Sequence, residues 1–325
     1  MLIALTHPLI DIIVSCSPEL LKRWDLTHGS YGIVDSTSQD ELLAACHALP
    51  QRSLIGGSAA NSAVAASTLG IPTTIIGLIG NDTLGRQMHS LLSMRGIKAA
   101  NPLVAGKRTG SCLSLITPDG ERTMRTCHGV VNSLGPEHID EQAIADATWL
   151  LVEGYFLTAS EMNRNALHHA LTVAKKHNTK TALTLSAEFV VSATQKELLE
   201  DIIPKLDLVF ANQGEALLLT STSETSSALD HLSRLTPSVV ITCGQDGAVG
   251  VESAQRWQIP AARPPGPVVD TTGAGDAFAG AYLAGLMHGH PPTTAARGAA
   301  MLAAMVVTQH GAQLPHQSYV IFDAR

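Results

Sequence analysis

The sequence predicts an α/β protein in which a mostly parallel central sheet carries helices on both faces. The first observation is a regular alternation of short apolar, β-branched runs with longer helical patterns, which is typical of parallel sheets. The second is the composition: of 325 residues, 45% are hydrophobic and 15% are charged. A chain of this kind can bury a sizeable core and is not disordered.

The elements follow one another along the chain. The N-terminal run is apolar, but Asp11 interrupts it and no basic segment precedes it, so we interpret it as a buried strand and not as a signal peptide. Further strands are predicted over residues 74–78, 112–117, 149–152, 181–185, 208–210, 239–242 and 248–252. Helices are predicted over residues 59–69, 84–95, 136–145, 160–177, 195–203, 274–288 and 293–309.

Two segments interrupt this alternation. One is residues 15–53, which is polar and contains Trp24 and Tyr31, and the other is residues 97–130. Each segment is compatible with extra strands that cover a site, and equally with an ordinary surface insertion.

Charge and cysteine usage exclude several classes of protein. The net charge of -7 argues against a nucleic-acid partner, because phosphate backbones require a basic face. The sequence contains no run of about 18 apolar residues, so no membrane span is predicted. The five cysteines are odd in number and form no Cys-x-x-Cys pair, which predicts a cytoplasmic protein with reduced thiols.

The strongest chemical signal is the segment DTTGAGDAF at residues 270–278. Gly273, Ala274 and Gly275 precede a helical pattern, so their backbone N–H groups lie where a helix N-terminus attracts phosphate. A carboxylate beside a phosphate site is explained if Asp276 accepts the proton of an attacking hydroxyl. The alternative is that Asp276 stabilises the first turn of the helix and the glycines form a tight turn.

A second glycine turn, Gly56-Gly57, precedes another helix that contains Asn61. Glycines allow a ligand to approach the backbone, and a side-chain amide can bind hydroxyl groups. Asp11 is a buried acid that substrate hydroxyls could satisfy. A capped, tightly packed helix and an internal partner for Asp11 remain open as alternatives.

Taken together, the chain resembles the ribokinase-like (PfkB) carbohydrate kinases. The turn Gly80-Asn-Asp-Thr-Leu-Gly85 is similar to the family's Gly-x-Asp-x-x-Gly turn, and Asn212-Gln-Gly-Glu215 to its Asn-x-x-Glu motif. The two family signatures are matched at Gly56, Gly57, Ala59, Asn61, Ala63, Gly70 and Gly80, and at Asp270, Gly273, Ala274, Gly275, Asp276 and Gly280.

The resemblance implies an ATP-dependent phosphotransferase with a ribokinase-like three-layer α/β/α fold. It implies one domain over residues 1–325, with a small β lid from about 12–54 and 97–130. Asp276 would be the general base, and Gly273, Ala274 and Gly275 would supply the anion hole.

Other roles are implied in the same way. Asn212 and Glu215 would order magnesium and the phosphates, with Glu215 acting through water. The acceptor would bind Asp11, Gly57 and Asn61, and the nucleotide would bind Gly244, Gly247 and Thr271. Arg122 would reach the transferring phosphate; an exposed strand arginine is the alternative. Potassium could bind near Asp270 and Gly311.

Several stretches resemble the adenosine-kinase-like branch, among them Val152-Glu-Gly-Tyr155. A nucleoside acceptor is therefore favoured, phosphorylated on a primary hydroxyl, and Trp24, Tyr31, Tyr155 and Phe156 are the candidates to stack on a purine. Residues 187–189 depart from that branch, so a free-sugar kinase, or a catalytically silent sensor of the same fold, remains the alternative. The sequence allows a monomer or a homodimer.

Overall fold

The computed structural model describes residues 1–315, 319, 321 and 322. The strands alternate with helices as the sequence predicts, and several short elements are added. The strands are β1 (Leu2–Leu5), β2 (Leu9–Ser15), β3 (Tyr31–Ile33), β4 (Gln51–Gly56), β5 (Thr73–Ile76), β6 (Ile97–Ala99), β7 (Gly110–Ile116), β8 (Arg122–Cys127), β9 (Trp149–Glu153), β10 (Lys180–Thr184), β11 (Leu208–Asn212), β12 (Ser238–Thr242), β13 (Ala248–Glu252) and β14 (Gln255–Ile259).

Five of the seven predicted helices agree with the structure within three residues at each end. The one predicted over residues 195–203 is wrong, because a helix ends at Glu197 and a π-helical turn, Leu198–Ile202, follows it. The described residues form twelve α-helices. They are α1 (Pro18–Arg23), α2 (Ser36–Cys46), α3 (Ser58–Thr68), α4 (Thr83–Met94), α5 (Glu141–Ala145), α6 (Phe156–Ala159), α7 (Glu161–His177), α8 (Glu188–Glu197), α9 (Gln213–Thr220), α10 (Thr225–Leu232), α11 (Ala274–Met287) and α12 (Pro292–Val306). The prediction of one continuous helix over residues 136–145 is wrong. A short 3-10 turn, Pro136–His138, precedes α5, whose N-cap is Asp140.

The larger sheet has nine strands in the order β14-β13-β12-β11-β10-β9-β1-β5-β6. In this spatial order, every pair of neighbouring strands between β12 and β6 is parallel. Only β13 and β14, at one edge, are antiparallel to their neighbours. The prediction of a mostly parallel sheet is therefore confirmed. The carboxyl ends of its parallel strands lie at one edge, where such sheets bind ligands.

Alternate residues of each strand face two separate layers of helices. In β1, Leu2 and Ala4 pack with α3, α11 and α12, while Ile3 and Leu5 pack with the layer that contains α7. Strands buried on both faces read as continuous apolar runs, which is why the sequence pattern identified them. The three-layer architecture is thus the observed fold.

A second sheet of five strands has the order β3-β8-β7-β2-β4. The segment 97–130 is divided between the two sheets, because β6 pairs with β5 in the larger sheet whereas β7 and β8 belong to the smaller one. The smaller sheet also begins earlier than residue 12, with β2. Its strand β2 pairs with β4 and with β7.

The Gly80–Gly85 turn is hydrogen-bonded to Thr109, the residue that precedes β7 of the second sheet. The Asp82 carboxylate accepts hydrogen bonds from the Gly85 N–H at 2.7 Å and from the N–H and hydroxyl of Thr109 at 2.8 and 2.6 Å. A Cβ on Gly85 would lie 1.8 Å from the Gly80 carbonyl oxygen, so only glycine fits there. These hydrogen bonds hold the pKa of Asp82 below its usual range, against the effect of burial.

Among the described residues, no helix is long and apolar enough to cross a bilayer. The five cysteines carry free thiols.

Helices α3 and α11 cross in close contact. A Cβ built on Gly280 would lie 2.1 Å from the Ser62 carbonyl oxygen and 2.9 Å from the Ala65 side chain. Because the obstacle is helix backbone, it cannot move aside cheaply. This crossing sets the separation between the N-termini of the two helices.

Gly280→Ala is therefore expected to lower the free energy of unfolding by about 1–3 kcal/mol through overpacking. Gly266→Ala is the matched control, because the nearest atom to its added Cβ, on Thr308, is 3.9 Å away. Urea unfolding followed by circular dichroism measures both variants. Equal stability of the two would contradict the proposed crossing.

Candidate active site

A cavity of about 480 Å³ lies between the two sheets, at the carboxyl ends of the parallel strands. A cavity of this size suits a small organic ligand. Its wall includes Asp11 from β2 and Asp276 from α11, so an acid of the second sheet and an acid of a helix face the same space.

The N-terminus of α11 opens onto this cavity. Gly273 is its N-cap with φ +75°, and a Cβ there would lie 2.1 Å from that of Ala312. Ala274 donates its N–H to the Thr271 carbonyl at 3.2 Å, so the unsatisfied N–H groups of the first turn are those of Gly275 and Asp276. No heavy atom lies within 4 Å of a Cβ built on Gly275, which leaves room for an anion.

The Asp276 carboxylate is held by two side chains of α3. Ser58 donates its hydroxyl to Oδ1 at 2.7 Å, and Asn61 donates its amide to Oδ2 at 3.0 Å. Burial raises the pKa of Asp276 to about 6, although both hydrogen bonds lower it. A carboxylate of this pKa is ionised at neutral pH and is still a competent proton acceptor.

Asn61 was expected to hold substrate hydroxyls. Although Asn61 lies on the cavity wall, its amide nitrogen donates to Asp276. Gly57 is also on the wall, but its φ of +102° and the His7 carbonyl oxygen, 2.3 Å from a Cβ built there, require glycine for packing alone. Close approach of a sugar is therefore not needed to explain Gly57.

Asp11 projects into the cavity from β2. A Cβ on Gly56 would lie 2.3 Å from Asp11 Oδ1, so the glycine of the neighbouring strand makes space for this carboxylate. Burial raises the pKa of Asp11 to about 7; the charge of Arg122 lowers it and that of Asp276 raises it. Near neutral pH this group can both donate and accept hydrogen bonds.

Glu153 is fully buried at the end of β9, behind the Gly56-Gly57 turn. Its carboxylate accepts hydrogen bonds from the Thr6 hydroxyl at 2.9 Å, the His7 N–H at 2.8 Å and the Ala59 N–H at 2.9 Å. Burial raises the pKa of Glu153 to about 7 and lowers that of His7 to about 3. Glu153, the last residue of β9, thus connects the segment that follows β1 with the first turn of α3.

Asn212 and Glu215 form a capping box at the start of α9. The Asn212 Oδ1 accepts from the Glu215 N–H at 2.8 Å, and the Glu215 Oε2 accepts from the Asn212 N–H at 2.9 Å. Both residues line the cavity, and the second carboxylate oxygen of Glu215 has no partner in this box. No group of three or more His, Cys, Asp or Glu side chains that could hold a metal occurs within the described residues.

Arg122 reaches from β8 to the loop before α11. Its guanidinium pairs with the Asp270 carboxylate and donates to the Thr272 hydroxyl at 2.6 Å. Only 12% of the side chain is exposed, so the alternative of an exposed strand arginine is wrong. The arginine links the second sheet to the loop that precedes Gly273.

The remaining predicted nucleotide residues lie apart from the cavity wall. Gly244 begins a 3-10 turn just after β12 and Gly247 follows that turn, both with positive φ, and Thr271 is exposed beside Thr272. None of the three lines the cavity, whereas Thr242, at the end of β12, does.

Four Tyr or Phe side chains line the cavity: Tyr31, Tyr155, Phe189 and Phe210. The rings of Tyr155 and Phe189 lie 5.9 Å apart at a tilt of 39°. Of the other predicted stacking residues, Phe156 is buried against His7, with ring centroids 4.3 Å apart, and Trp24 is partly buried against the hydrophobic core.

Comparisons with known proteins agree with this arrangement. The pfkB family carbohydrate kinase pattern matches residues 34–318. The chain belongs to the PfkB family. Kinases of this family transfer phosphate from ATP to a hydroxyl of a sugar or nucleoside, and the function predicted at this level is confirmed.

Relatives of this PfkB kinase include enzymes for both kinds of acceptor. It is 27% identical to an adenosine kinase of Saccharomyces cerevisiae, over 97% of each chain. It is 29% identical to a 5-dehydro-2-deoxygluconokinase of Bacillus licheniformis, over 79% of this chain and 81% of the relative. The crystal structure of adenosine kinase from Sinorhizobium meliloti is similar with a TM-score of 0.86 and 29% identity, covering 96% of this chain and 95% of that one.

Sequence reasoning missed Ser58, Glu153 and Phe189 as site residues of this PfkB kinase. Ser58 directly follows the Gly56-Gly57 turn, and Glu153 lies in the stretch already noted for its resemblance, Val152-Glu-Gly-Tyr155. A buried acid at the end of an apolar strand was the available signal for Glu153. Phe189 lies in the segment that departs from the branch and gave no signal.

A pH-dependent stability is expected from Asp11. Its pKa is raised in the folded state, so its contribution to stability is present below about pH 4 and is lost as the pH rises through about 7. Asp11→Asn is therefore expected to be more stable than the wild type at pH 8, by about 1–2 kcal/mol, with no gain at pH 4. Thermal unfolding across this range measures the difference.

The exposed Asp25 provides the control, as Asp25→Asn should change stability equally at both pH values. A gain for Asp11→Asn that does not vary with pH would contradict the buried, raised-pKa state of this carboxyl.

Proposed function

We propose that this PfkB kinase phosphorylates a primary hydroxyl of a nucleoside, adenosine being the leading candidate, with Asp276 as general base. The observation that carries the proposal is the Asp276 carboxylate, which lies at the open N-terminus of α11 and accepts from Ser58 and Asn61. The adenosine kinases among the relatives support the choice of acceptor. The aromatic wall of Tyr31, Tyr155 and Phe189 suits a purine ring.

The acceptor hydroxyl would bind between Asp11 and Asp276. As its oxygen forms a bond to the γ-phosphorus of ATP, the hydroxyl proton passes to the Asp276 carboxylate. The bond from that phosphorus to the β,γ-bridging oxygen breaks, and ADP leaves. The N–H groups of Gly275 and Asp276 and the dipole of α11 would stabilise the charge on the transferring group.

Arg122 would add positive charge beside the same loop. Its present partners, Asp270 and Thr272, lie within four residues of Gly273 along the chain. We propose that the second sheet acts as a lid, and that its closure brings Arg122 to the phosphate and excludes water. Gly244, Gly247 and Thr271 would contact the nucleotide outside the cavity wall described above.

Magnesium fits the chemistry of the Asn212–Glu215 pair. Glu215 lines the cavity and has one carboxylate oxygen outside the capping box, and no cluster of three ligands exists there within the described residues. Such a site suits an ion held mainly by phosphates and water, which would neutralise phosphate charge. Glu215 and Asn212 would orient those waters.

The residues around Asp270 do not fit potassium in the same way. The carboxylate already accepts from the N–H groups of Thr272 and Gly311, at 2.9 and 2.6 Å, and pairs with Arg122. We therefore assign no step to potassium.

Asp276→Asn is expected to lower kcat by about 10²–10⁴-fold, because the amide cannot accept the proton, with little change in ATP affinity. Steady-state kinetics and a fluorescent ATP-displacement titration measure the two quantities. Asp25→Asn serves as the control. Full turnover in Asp276→Asn would rule out the mechanism.

The acceptor is identified by coupled ADP release with ATP and magnesium. The panel contains adenosine, inosine, guanosine, cytidine, ribose, fructose and 2-keto-3-deoxygluconate. A rate with adenosine far above the ATP-only background is the expected result. A response to a free sugar alone would replace the nucleoside by the sugar-kinase alternative, and ATP binding with a flat panel would favour the sensor.

A further inference from the structure

Gln313 makes a buried connection to the proposed base. It follows α12, is 6% exposed, and donates from Nε2 to the Asn61 Oδ1 at 3.0 Å and to the Ile55 carbonyl at 2.5 Å. Asn61 is also 6% exposed and donates from Nδ2 to Asp276 Oδ2. A hydrogen-bond chain therefore runs from Gln313 through Asn61 to Asp276.

The direction of this chain is set by chemistry. An ionised carboxylate only accepts hydrogen bonds, so the NH₂ group of Asn61 must face Asp276. The two ends of an amide are nearly equal in size, and sterics alone would allow it to rotate by half a turn. The Gln313 donor prevents this rotation, because the rotated amide would place two NH₂ groups against each other.

We propose that Gln313 is a positioning residue for phosphoryl transfer, which fixes the Asn61 amide so that it donates to the general base. The inference rests on the proposed role of Asp276. No motif that identified the active site includes Gln313, and it lies 252 residues from Asn61 in the chain.

The orientation of Asn61 matters because the surroundings of Asp276 are acidic. Asp11 from β2, Glu153 from β9 and Glu215 from α9 each interact electrostatically with it, as does the Tyr155 hydroxyl.

Positive charge near Asp276 is limited in the described chain. The guanidinium of Arg122 acts on Asp11 and pairs with Asp270. The direct stabilisation of ionised Asp276 therefore comes from the Ser58 hydroxyl and the Asn61 amide, the two hydrogen bonds that lower its pKa. Loss of either donor raises that pKa, since burial then acts with less opposition.

The test is the acid limb of kcat/KM against pH, which reports the base in the free enzyme. Gln313→Met retains the length of the side chain and removes its donor. We expect the limb to move up by about one pH unit, so that activity at a pH below the limb falls about tenfold, while activity at pH 9 stays near that of the wild type.

A double-mutant cycle separates this role from a general structural one. In an Asn61→Ala background, Gln313→Met is expected to cause no further movement of the limb, because the two residues act in one chain. Thr179→Val is the matched stability control: the Thr179 hydroxyl is buried and donates to the Ile144 carbonyl at 2.7 Å. It should lower the unfolding temperature and leave the limb unchanged.

The inference would be overturned if the acid limb of Gln313→Met lay at the wild-type pH. It would also be overturned if Gln313→Met moved the limb as far in the Asn61→Ala background as it does alone. If Gln313→Met does not fold, Gln313→Asn tests the same point, because its amide is one methylene too short to reach Asn61. Full activity of Asp276→Asn would instead refute the proposed function. Loss of activity in Asp276→Asn with an unmoved limb in Gln313→Met would refute this inference alone.

Discussion

The close crossing of α3 and α11 is the constraint on which the site depends. Gly280 allows the two backbones to meet, and Ser62 of α3 occupies the space that any other side chain would need. The crossing places the first turns of both helices side by side at the carboxyl edge of the larger sheet. Ser58 and Asn61 of one helix can therefore hold Asp276 of the other. The proposed anion site and the proposed base arise from the same packing.

The cavity collects carboxyl groups at a cost in stability. Burial raises the pKa values of Asp11 and Glu153 to about 7 and that of Asp276 to about 6. Each of these groups disfavours the folded state once it is ionised, as expected where surroundings are arranged for chemistry. The hydrogen bonds from Ser58 and Asn61 offset part of this cost at Asp276. Those to Glu153 do the same behind the α3 turn.

The second sheet brings two charged residues to the site. Asp11 on β2 brings a carboxylate to the cavity, and Arg122 on β8 reaches the loop before α11. Asp82, the N-cap of α4, accepts hydrogen bonds from Thr109, which precedes β7, and so connects the second sheet to α4. A movement of the sheet about this connection would displace Asp11 and Arg122 together, because β2, β7 and β8 are paired. The proposed acceptor and phosphate contacts would then change together.

The sequence by itself determined the parallel sheet and the glycine turns, and it pointed to Asp276 as the proposed base, because these follow from local periodicity and from helix N-terminal chemistry. It did not determine which strands leave the larger sheet: β6 and β7 lie in the same inserted segment, and only their pairing separates them. It also failed to identify the partners of the base. Ser58 lies 218 residues from Asp276, and Gln313 lies 252 from Asn61. No local pattern encodes contacts at such separations. They exist because packing of buried helices brings the segments together, and the tertiary structure alone decided them.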